Sequence, residues 1–233
     1  MPNKGKSIME AIQYIDGFYN DLGLLLSNFE NLLAEKGFIS IPNAGNRTSF
    51  DYALVNHIGY SKRWILKCIQ RLYLKEEETE ENVKSINKAI LCNLALYPTS
   101  AFEMPIFMCG IVSWEGNYSQ NEIYNLWPTK EFTELMNLKN NWRLKNKHEV
   151  EGKSLIFKFM PLEKLKNIED YTLFFVDLVK VESSKALQQI VDALENLYDG
   201  NDEIVLSSDL IVEKIPEKLM ENWSQPMKPK DVD

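Results

Sequence analysis

The chain has 233 residues, 45% of them hydrophobic, enough for one large domain or two small ones with a buried core. Its formal net charge of −8 opposes non-specific binding to nucleic acid or to an anionic membrane surface. No run of about 18 apolar residues occurs, so no transmembrane helix is expected, and the opening residues lack the continuous apolar core of a signal peptide.

Residues 7–36 carry the clearest helical pattern. Ile8, Ile12, Ile15, Tyr19, Leu22, Leu26, Phe29 and Leu33 alternate spacings of four and three, the a and d seam of a coiled coil. Leu24, Leu25 and Leu32 widen the stripe. Gly17 and Gly23 each cost about 1 kcal/mol relative to alanine, so packing must hold this helix. Gly37 supplies its stop. The stripe either crosses the domain's own sheet or forms a dimerisation seam. A strict seven-residue repeat favours a helical partner over a flat sheet. A helix at 61–74 of the same chain could be that partner but is only half as long, which tilts the reading towards a homodimer.

Residues 38–55 hold the turn formers Pro42, Asn43, Gly45 and Asn46 and predict an extended segment, a loop and a short strand or irregular run over 49–55. Backbone amides of the loop 43–49, with Arg47, could cradle an anion, although an ordinary turn is the simpler reading. A helix is predicted over 61–74, capped by Ser61, with Trp64, Ile65, Cys68, Ile69, Leu72 and Tyr73 on its apolar face. Arg63, Lys67 and Arg71 recur at i, i+4 beside it as a basic stripe. The acidic link 75–81 is the best candidate boundary. It would divide a helical region, 1–81, from an α+β region, 82–224, before a disordered tail, 225–233.

Residues 89–114 are the most apolar stretch of their length. They predict two strands, 89–97 and 105–114, each apolar on both faces and so central and covered on both sides. Leu94, Leu96, Phe107, Cys109 and Ile111 are expected in the core. Ser119 and Glu122 have capping-box spacing and begin a helix running to Trp127; Pro128 interrupts it, and a second short helix spans 129–138. Residues 139–149 read as a polar, basic segment, 153–160 as a strand nearer the sheet edge, and 171–181 as another strand. Ser183 or Ser184 caps a last helix with Leu187, Ile190, Val191, Leu194, Leu197 and Tyr198 on one face, ending at Gly200. Helices and strands are segregated, so the expected class is α+β: a mainly antiparallel sheet with a long N-terminal helix and further packing helices.

Motifs for chemistry are sparse. The two histidines, His57 and His148, lie far apart, and no metal-ligand spacing, phosphate loop or nucleophile elbow occurs; neither metal nor cofactor is expected. Cys68, Cys92 and Cys109 show no disulfide framework, which suggests reduced thiols in a cytoplasmic protein. Glu151-Gly152-Lys153 has the second half of a magnesium-nuclease signature, but no aspartate lies between Asp51 and Asp170 to complete it. A second basic segment holds Lys139, Arg143, Lys145, Lys147, Lys153 and Lys158 around Trp142. Basic side chains with an interleaved aromatic can hold phosphates and stack a base.

The expected role is therefore interaction or regulation, through a protein partner or self-association, without catalytic machinery. The alternative is an enzyme or sensor for a phosphorylated ligand, a nucleotide or nucleic acid, held by Arg47, Arg63, Lys67, Arg71, Trp142, Arg143, Lys145 and Lys147. Convergence of these groups in one pocket would favour the alternative.

Overall fold

The computed structural model describes residues 4–41, 47–48, 68–78, 84–96, 104–126, 142–150, 153–161, 167–201 and 204–212. Helix α1 (Lys4–Glu35) is followed by strands β1 (Phe38–Ser40), β2 (Arg47–Thr48), β3 (Cys68–Lys75), β4 (Ile86–Ala95) and β5 (Ile106–Tyr118). Helix α2 (Gln120–Leu126) precedes β6 (Trp142–Val150), β7 (Lys153–Pro161) and β8 (Ile168–Asp177), and helix α3 (Ser184–Tyr198) follows. The eight strands form one antiparallel sheet in the order β1-β3-β4-β5-β8-β7-β6, with β2 also on β3. The class is α+β. Two three-stranded meanders, β3-β4-β5 and β6-β7-β8, meet at the β5–β8 pair.

The predicted central strands are central. Ile90, Cys92 and Leu94 of β4 stand opposite Ile111, Cys109 and Phe107 of β5, all almost fully buried. These side chains face α1 and α3, whereas Ala89, Leu91, Met108 and Val112 form a second cluster on the other face, with Ile123 of α2 and Val212. Leu96, expected in the core, instead lies just past the end of β4 and is only half-buried.

Three further expectations are corrected. The described part of the predicted helix 61–74 is strand β3, in register with β4 from Cys68–Ala95 to Tyr73–Ile90. Its interior position supplies two hydrogen-bonding neighbours, which outweigh a local helical spacing. The polar segment 139–149 contains β6, an edge strand; polar and charged residues are common on edges because they discourage pairing with another chain. The strand at 171–181 starts and ends earlier, as β8, and Leu178–Lys180 turns into a 3-10 helix capped by Asp177. The acidic link leaves β3 as a 3-10 turn, Glu76–Glu78, and joins two paired neighbours of one sheet. The segments 49–55, 129–138 and 225–233 lie outside the described residues.

Two of the three predicted N-caps form, and the third, at Ser61, lies outside the described residues. The Ser119 amide donates to Glu122 Oε2 at 2.9 Å while the Glu122 amide donates to Ser119 Oγ at 3.4 Å, the reciprocal capping box of α2. Ser183 Oγ accepts from the Ala186 amide at 3.2 Å to start α3, and Gly200 follows its end at φ 84°. Helix α3 buries Leu187, Ile190, Val191, Leu194, Leu197 and Tyr198 as expected. Lys36 ties the end of α1 to α3, donating to Glu195 at 2.7 Å and pairing with Asp192 at 3.1 Å; these bonds raise its pKa.

Candidate interaction surface

Helix α1 behaves differently in its two halves. It has 32 residues, so it is about 48 Å long at 1.5 Å per residue. Its C-terminal half packs on α3 and β1, and Leu22, Phe29 and Leu33 are buried. Phe29 meets Tyr73 and Phe107 edge-on, at ring separations of 6.0 and 5.1 Å. The helical partner expected at 61–74 is not the neighbour, since its described part is strand.

The N-terminal half continues the same stripe without cover. Ile8 is 60% exposed, Met9 55%, Ile12 54%, Ile15 49% and Phe18 39%. Tyr14 and Leu24 are exposed on the opposite side. Most of the exposed large hydrophobic residues among those described belong to this one helix. Monomeric proteins seldom leave so contiguous an apolar face in water, because each buried CH₂ withheld from water contributes about 0.8 kcal/mol.

A groove of about 500 Å³ opens where this face reaches the body. Phe18, Leu22 and Leu25 of α1 form one wall; Leu178, Val181 and Leu187 form the other; Asp21 and Glu182 add acidic groups. Sequence reasoning missed this groove because its walls lie far apart in the chain.

Among the described residues, the strands that carry the predicted basic set lie far apart in the sheet. Arg47 on β2 is opposite Gln70 on β3, whereas Trp142, Arg143, Lys145 and Lys147 lie on β6 at the other edge. Four strands separate β3 from β6, roughly 24 Å at about 4.8 Å per strand. Arg63 and Lys67 lie outside the described residues. Arg71 is only 19% exposed: its Nε is 3.5 Å from Glu30 Oε1, and its Nη1 donates to the Gln70 carbonyl at 3.0 Å. Glu30 also accepts a hydrogen bond from the Tyr73 hydroxyl at 3.4 Å, and burial holds that hydroxyl well above its ordinary pKa. This cluster binds α1 to β3, so Arg71 already has a carboxylate from its own chain.

Two further polar features lie inside the sheet. Gln70 and Asn93 face each other across β3 and β4, both buried, and their amide nitrogens make no hydrogen bond. Asp170 is also buried and pairs with Lys158 at 3.3 Å. Among the described residues no three His, Cys, Asp or Glu side chains gather as metal ligands, and no helix is long and apolar enough to cross a membrane. Comparison with family models, curated proteins and solved structures gives no match, so the α1 face and its groove stand on their own geometry.

Proposed function

We propose that the protein is an interaction or regulatory protein that works by docking a protein partner on the N-terminal half of α1. The observation that carries this reading is the uncovered stripe Ile8, Met9, Ile12, Ile15 and Phe18, which runs into an apolar groove. A cytoplasmic setting is supported by the free thiols Cys92 and Cys109. The alternative, a phosphorylated ligand on basic residues, finds less support: Arg71 is engaged by Glu30, and the other described candidates stand at opposite sheet edges.

Site-specific photocrosslinking in cells tests the reading. A photoreactive residue at Ile12 should give protein adducts, while one at Val205, 82% exposed and away from α1, should not. No adduct at Ile12, or equal labelling at both positions, would remove the case for docking.

A further inference from the structure

We propose that the occupant of this face is the α1 helix of a second copy of the chain, lying antiparallel so that each N-terminus enters the other's acidic groove. The inference rests on the reading of α1 as a docking surface and specifies its partner.

The repeat sets the register. It places Ile12 and Tyr19 at a positions and Ile8 and Ile15 at d positions. Antiparallel helices set a against d, so Ile12 meets the second copy's Ile15 and Ile8 meets its Tyr19. Both matches share one centre, between Gln13 and Tyr14, so a single two-fold axis satisfies every layer. Met9 and Phe18 occupy flanking e and g positions and are among the exposed apolar residues. The buried portion of the stripe, from Leu22 to Leu33, is already occupied by the protein's own α3 and sheet. The pairing therefore uses the exposed turns up to Phe18 and the open side of Tyr19, which also packs partly on the core, and places the two sheets at opposite ends.

Charge fixes the direction. The first turn of α1 has no acidic residue and includes Lys4 and Lys6. In the antiparallel register the basic first turn of one copy lies alongside the Asp21–Leu25 turn of the other, on the side where the groove opens. Asp21 and Glu182 there complement the basic end of the helix. A parallel pair would instead set the two basic first turns side by side and leave the groove without an occupant.

Sedimentation equilibrium on the full chain should give a dimer at tens of micromolar. Ile12→Glu with Ile15→Glu should give a monomer with the native circular-dichroism spectrum, since both side chains are exposed, and an unfolding midpoint that no longer rises with protein concentration as the wild type's does. Lys4→Glu and Asp21→Lys should each weaken dimerisation about two- to fivefold, and the double variant should recover it. For direction, Ile12→Cys and Ile15→Cys chains should crosslink on oxidation when mixed, and neither should crosslink alone. Self-crosslinking of Ile12→Cys would establish a parallel pair and overturn the proposal, as would a monomeric wild type. A monomeric wild type that still gives adducts to a different protein at Ile12 would sink this inference and leave the docking function standing. A monomer with no adducts would sink both.

Discussion

Cys92 and Cys109 stand directly opposite each other on β4 and β5, both free and both buried. Burial pushes the Cys109 thiol well above its ordinary pKa, and its hydrogen bond with Cys92 acts in the same direction. A thiolate is the reactive species, so Cys109 should not act as a nucleophile, and burial alone keeps reagents from Cys92. Thiol titration of the native protein should label neither residue, with mass mapping to locate any modification; both should react after unfolding. Rapid native labelling of Cys109 would contradict the burial and reopen thiol chemistry.

Gly110 lies at the middle of β5, in register with Leu173 of β8. A Cβ there would overlap the Thr172 carbonyl and come within 2.8 Å of the Leu173 Cα, both backbone atoms of the neighbouring strand. No rotamer change relieves such a contact, so the strands must separate. Gly110→Ala should destabilise by about 1–3 kcal/mol or more, read as a lower urea midpoint. An unchanged midpoint would mean that β5 and β8 are not this close.

Leu94 and Leu96 form a pair of controls. Leu94 is 1% exposed and lies against Phe107, so Leu94→Ala should cost about 2–5 kcal/mol. Leu96 follows the strand and is half-buried, so its replacement should cost less. Denaturant unfolding of the two variants should separate them; the reverse order would contradict the register of β4.

Glu122 predicts an acid response. The Lys84 ammonium, 2.6 Å away, and the Ser119 amide hold its carboxyl down to about 2 from an ordinary 4.5. A depressed carboxyl pKa stabilises the fold fully above the unfolded value, and the contribution fades as pH falls through the folded one. The Glu122 contribution should therefore disappear between pH 4.5 and about 2. Carboxyl NMR titration should find the low value, and Lys84→Ala should raise it.

Legibility in the sequence followed the locality of the cause. The capping box at Ser119, the Ser183 cap and the apolar face of α3 are set by residues three or four apart, and all form as read. The β4–β5 pair was legible because both of its faces are apolar. Strand β3 was misread because Gln70 and Arg71 break its alternation, and the partner that accommodates Arg71 is Glu30, on a different element. The basic stripe needed Arg71 on a helix, and Arg71 lies on β3 instead. In α1 the periodicity showed a stripe, but not that cover stops near Leu22, because cover depends on where α3 and the sheet lie. The groove was equally hidden, since Leu25 and Leu187 meet only after folding.

The joining of the two meanders at β5 and β8 has a consequence during synthesis. When β5 leaves the ribosome, β4 is available on one side, but the strand that pairs with its other side is made only after α2, β6 and β7. At about 5–20 residues per second, that interval lasts several seconds. For that time the nascent chain carries Phe107, Cys109 and Ile111 on a strand with one unpaired edge. Crowded polysomes then bring identical open edges near one another, and slowing translation between Tyr118 and Ile168 should lower the soluble yield without changing the stability of the finished protein.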